Sequence, residues 1–173
     1  MADVAAVFGT LLALGIAFPG LLMAWWLLFP SAVGRAKQRF VRTPGRCFGL
    51  GLVVAFFMAI PITALFLIPG PGQLMSFVAI LALLGIAAIG AAGIAATMGE
   101  RLTQRVGSLS PSAAFVRGAV ALELAAAFPF LGWFLIIPIT LIISLGATTF
   151  ALLRWVPAMP TPANSEVGVP QNA

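Results

Sequence analysis

Few residues in this chain of 173 could do chemistry: one cysteine, no histidine, and the four carboxylates Asp3, Glu100, Glu123 and Glu166. A lone Cys47 makes no internal disulfide, no CxxC pair and no CxxCH haem attachment site. Without histidine, the commonest ligand of zinc and haem iron is missing, so no cofactor and no metal is expected. Cys47 reads instead as a small apolar residue at a membrane boundary. No phosphate-binding loop, GxSxG elbow, HExxH helix or pair of carboxylates occurs, and the glycines of Gly49-Leu50-Gly51 follow no strand. A solitary carboxylate gives general acid–base catalysis little to work with, so the chain is expected not to be an enzyme.

Glu123 is the acid that stands out. It is the one acidic residue within an apolar stretch, Ala121-Leu122-Glu123-Leu124-Ala125. An ionisable group inside a membrane is by default a candidate proton or ion site, because burying it costs at least a few kcal/mol. The competing role is structural, with the carboxyl group accepting hydrogen bonds from a neighbouring helix. Arg117, six positions earlier, would lie about 9 Å along a helix and around its other side, so the two are not natural partners.

The basic residues cluster elsewhere. Arg35, Lys37, Arg39, Arg42 and Arg46 follow Ser31 in a juxtamembrane segment, where Val33, Phe40 and Val41 could dip into the interface. Such a segment is expected to bind anionic lipid headgroups at about 1 kcal/mol per cation, or simply to orient the chain by its charge. The net charge of +5 is confined to short runs, and nothing resembles a nucleic-acid-binding face.

The elements that must position these residues follow from where charge stops. With 62% hydrophobic and 8% charged residues, the chain is not a soluble globular protein. A bilayer core about 30 Å thick takes about 20 helical residues to cross. The expected fold is all-α and polytopic, with about five transmembrane helices at residues 4–29, 47–68, 73–98, 112–131 and 133–153 forming one domain over 1–156. Pro69-Gly70-Pro71-Gly72 turns the second helix into the third. The run from Phe128 to Trp133 breaks the last apolar block into a Pro/Gly hairpin. An alternative makes residues 119–128 a re-entrant half-helix.

Residues 157–173 read as a proline-rich cytoplasmic tail. The first helix lacks a positive leading region, is too long for a cleaved signal, and is expected to stay attached. Lys and Arg fall in alternate connections, placing the N-terminus outside and the C-terminus in the cytoplasm of a bacterial inner membrane.

Helix three carries Gly85, Ala88, Ala92 and Ala96 on one stripe and Ala87, Ala91, Ala95 and Gly99 on its neighbour. This spacing lets helices approach closely, so helix three is expected to be central. Prolines inside spans, at Pro19, Pro61, Pro129 and Pro138, should bend them. Ile60-Pro61-Ile62-Thr63 and Ile137-Pro138-Ile139-Thr140 repeat one pattern, as in transporters with internal repeats, although charged groups at the broken helices are missing.

The order of Arg42-Thr43-Pro44-Gly45-Arg46, Gly49-Leu50-Gly51, Met98-Gly99-Glu100-Arg101, Pro129-Phe130-Leu131-Gly132-Trp133 and Leu145-Gly146-Ala147 resembles the multi-pass membrane domain associated with bacterial bactofilin-type polymer-forming cytoskeletal proteins. The resemblance covers most of residues 35–155 and implies a membrane domain without catalytic residues; the β-helical polymer domain is missing, so polymerisation does not carry over. The expected function is a non-enzymatic accessory or scaffold subunit of a larger membrane complex, respiratory or photosynthetic among the candidates. Its partners would be membrane lipids and other integral membrane subunits. The alternative is a small transporter or channel component using Glu123.

Overall fold

Prolines set the boundaries of this fold. In the computed structural model, which describes residues 2–107 and 110–155, six helices run in order: α1 (Ala2–Leu28), α2 (Pro30–Arg42), α3 (Pro44–Phe66), α4 (Pro71–Val106), α5 (Pro111–Ala127) and α6 (Ile137–Leu152). A π-helical turn, Gly132–Ile136, leads into α6. The helices α2, α3, α4 and α5 each open on a proline. Proline has no N–H to leave unpaired at a helix start, and it pushes the residue before it out of the helical region. Phe29 (φ −128°, ψ 55°) and Thr43 (φ −141°, ψ 64°) accordingly break the chain on either side of α2.

The described residues are all-helical, and among them three helical stretches are long and apolar enough to cross a membrane: Pro44–Phe66, Pro71–Gln104 and Gly132–Leu152. A fourth is reached if Gly15–Leu28 and Pro30–Arg42, bent by 107° at Pro30, count as one span. Three differences from the sequence-based expectation have physical causes. The basic connection is itself a helix, α2, because Ala32, Val33 and Ala36 recur on one face and bury there. The helix expected over residues 73–98 continues to Val106, carrying Glu100 and Arg101 on its last turns. The span expected at 112–131 stops at Ala127, where Phe128 turns extended ahead of Pro129. Its 17 residues reach about 25 Å.

Pro129 therefore lies in a turn rather than inside a helix, whereas Pro19 and Pro61 are helical as expected. Pro138 follows the π-helical turn, whose wider winding makes room for a ring that would otherwise press on the carbonyl four residues back. The proline-rich segment 157–173 lies outside the described residues.

Helix α4 touches each of the other five helices, as its small residues lead one to expect. Three glycines make the closest approaches, each to a different neighbour. A side chain at Gly90 would run into the Ser144 backbone of α6, at Gly93 into the Lys37 backbone of α2, and at Gly99 into the Ala114 backbone of α5. The helices α3 and α6 meet the same way, Gly51 against Ile142 and Gly146 against Cys47. Packing is thus concentrated toward the charged end. One buried cluster joins Leu22, Val33, Ala92, Ala95, Phe115 and Leu122, and a second joins Ala36, Cys47, Ala147, Phe150 and Ala151. At the other end the α3–α4 hairpin stands nearly bare.

Candidate functional site

The basic segment is where the structure departs furthest from expectation. Of the five cations expected at lipid headgroups, three are engaged by the protein. The Arg35 side chain donates through Nε to the Ala151 carbonyl, 3.0 Å away in the last turn of α6. Helix C-termini favour such a partner, because their carbonyls lack intrahelical donors and carry partial negative charge. Lys37 donates through Nζ to the Glu100 carboxylate of α4. Arg39 is buried, with its guanidinium 4.5 Å above the Phe150 ring centroid and its Nε unpartnered. Arg35, Lys37 and Arg39 thus serve to bolt α2 onto α4 and α6. Arg42 and Arg46 are exposed, as are Arg101, Arg117 and Arg154.

Part of this was legible: Arg39 continues the inward face of Ala32, Val33 and Ala36 by one helical turn. Its acceptor surface was not, since Phe150 lies more than a hundred residues away in sequence.

Glu123 is half-buried on α5. The backbone of α1 passes beside it at Gly15, where an added Cβ would sit 3.2 Å from the carboxylate Oε1. Arg117 is exposed alongside Val116, Val120 and Leu124, so the structure does not bring it together with Glu123. Among the described residues Glu123 has no ion-pair partner, and no three His, Cys, Asp or Glu side chains converge.

The small-residue stripe is partly displaced. Ala92 is fully buried, while Gly85, Ala88 and Ala96 are half-buried. The neighbouring stripe, Ala87, Ala91, Ala95 and Gly99, is buried throughout. Cys47 is free and buried in the α2–α3–α6 cluster.

Sequence reasoning missed one feature altogether. A cavity of about 760 Å³ opens at the charged end between the end of α1, α2, the last turns of α4 and the start of α5. Trp26 and Phe115, stacked with ring centroids 5.0 Å apart, lie on its apolar side with Val33. Lys37, Glu100 and Gln104 lie on its polar side. The helix α2 supplies one wall of it, and this segment was expected to lie at the lipid headgroups rather than against α4 and α5. In comparison with known proteins, no family model, no curated protein and no solved structure matches this chain.

Proposed function

We propose that this is a non-enzymatic integral membrane protein that crosses a bacterial cytoplasmic membrane five times and serves as an accessory or scaffold subunit of a larger membrane complex, working through helix packing and lipid contact. Its N-terminus is outside and its C-terminus cytoplasmic. In this reading α1, α3, α4, α5 and α6 cross, α2 lies at the inner surface, and Arg117 reaches back toward that surface from the short α5.

The bare α3–α4 hairpin carries the subunit role. Only 6% of the apolar stretch in Pro44–Phe66 is buried within the protein, against 39% in Gly132–Leu152; the 39% of Pro71–Gln104 lies mostly at residues 87–99, away from the turn. At the turn Gly72 packs against Leu65 and Ile68 of the hairpin itself. Helices in lipid associate through close packing rather than through the hydrophobic effect, so a hairpin with two unpacked faces offers contact surface to another integral subunit.

A photocrosslinking residue at Phe57 or Phe77 tests this in native membranes, with Leu124 on α5 as the control of equal exposure. The expected result is a discrete protein adduct from the two hairpin positions and lipid adducts alone from Leu124. Lipid adducts at all three would overturn the reading.

A second reading, a proton- or ion-coupled transport component, is favoured by the Gly15 backbone lying against the Glu123 carboxylate. Glu123→Gln separates the two: coupled flux collapses under the second reading, whereas assembly and growth are unchanged under the first.

A further inference from the structure

The cavity at the charged end has the polarity gradient of an amphiphile. Its inner wall is Trp26, Phe115, Val33, Ala96 and Ala114, and its mouth carries Lys37, Glu100, Thr103 and Gln104. At about 760 Å³ it falls within the range of small-molecule pockets, about 300–1,000 Å³. We propose that it holds one phospholipid whose zwitterionic headgroup carries a primary ammonium, a phosphoethanolamine lipid drawn from the surrounding bilayer. The proposal deepens the lipid-contact part of the preceding reading and rests on this end of the bundle lying at a bilayer surface.

Charge complementarity selects the occupant. Lys37 and Glu100 neutralise one another, so a head with one net charge would pair with one of them and strand the other. A zwitterion exchanges one ion pair for two: its phosphate takes Lys37 and its ammonium takes Glu100. The neighbouring polar groups suit both halves. Gln104 offers an amide donor and an amide acceptor. The Thr103 hydroxyl spends its proton on the Gly99 carbonyl at 2.9 Å, which leaves it an acceptor for an ammonium N–H. A quaternary ammonium has no N–H to give and loses these bonds. The acyl chains pass over the stacked rings of Trp26 and Phe115 into the hydrocarbon.

The test uses the purified full chain in nanodiscs with equal parts phosphatidylethanolamine, phosphatidylcholine and phosphatidylglycerol. It is then transferred to mild detergent, and the retained lipid is counted by native mass spectrometry. The expected result is one retained lipid, phosphatidylethanolamine, favoured about threefold over each competitor, as befits partly exposed ion pairs. Glu100→Gln leaves the site net positive and shifts retention to phosphatidylglycerol. Ala96→Phe fills the cavity without touching its charges and abolishes the selectivity. Each readout is a ratio between lipids in one sample, so loss of folded protein does not imitate it. Equal retention of the three lipids by the unaltered protein overturns the proposal, as does a preference that survives both substitutions. Crosslinking from Phe57 and Phe77 is independent of all these outcomes, so failure here leaves the subunit reading standing, and the reverse also holds.

Discussion

Glycine at the helix crossings and arginine at the α2 seam are the residues on which this bundle depends, for opposite reasons. At Gly51 and Gly146 the backbones of α3 and α6 touch, and a methyl group at either would collide with a carbonyl of the other helix. Gly51→Ala and Gly146→Ala should each destabilise the fold by about 1–3 kcal/mol, since backbone cannot give way as a side-chain tip can. Gly49→Ala, where nothing lies within 4 Å, should be neutral. Denaturation in mixed detergent, followed by circular dichroism, checks the set.

Arg39 and Phe150 should show a coupling of about 1 kcal/mol in a double-mutant cycle of Arg39→Gln and Phe150→Leu, the size of a partly desolvated cation–π contact. The two exposed cations behave differently. Arg42→Gln and Arg46→Gln should each weaken binding to anionic vesicles by about 1 kcal/mol, while Arg39→Gln leaves it unchanged and lowers stability. Comparable losses of vesicle binding for all three would mean that Arg39 faces lipid after all.

Among the elements, proline placement does most of the partitioning, and the α3–α4 turn adds one glycine that cannot be exchanged freely. Gly70 has φ +80°, a left-handed conformation that L side chains adopt at a cost. Gly70→Ala should cost about 1 kcal/mol, while Gly45→Ala, on α3 with open space around it, should cost nothing measurable. Equal thermal stability of the two variants would show that the turn is free to rearrange. The helix α2 is held by polar side chains at its middle as well as by its apolar face. Arg35 reaches the last turn of α6 and Lys37 reaches α4, so α2 is fixed across the charged end of the bundle.

For the whole molecule, the alternating distribution of Lys and Arg makes a topological prediction that the buried cysteine renders easy to test. Cys47 is fully buried, so it should contribute little background to labelling by an impermeant maleimide. Gln73→Cys, exposed near the α3–α4 turn, should be modified in intact cells. Arg42→Cys and Arg154→Cys, at the charged end, should be modified only after permeabilisation. Modification of all three from one side would sink the five-crossing arrangement together with the position assigned to α2.

What the sequence by itself determined is the part governed by local chemistry. Its hydropathy calls for helices long and apolar enough to cross a membrane, because a helix satisfies the backbone of such segments without water. The turn at Pro69–Gly72, the breaks at successive prolines and the small-residue face of α4 are all written within a few neighbouring residues. Tertiary structure alone decided which cations remain free. Arg39 and Arg42 lie three residues apart on α2, yet one is buried over a ring of α6 and the other is exposed. The pairing of Lys37 with Glu100, the cavity beneath it and the nearness of Gly15 to Glu123 were likewise settled only when distant helices met. Charge and hydropathy register what a residue costs in lipid; whether that cost is offset depends on partners that segments remote in sequence bring to it.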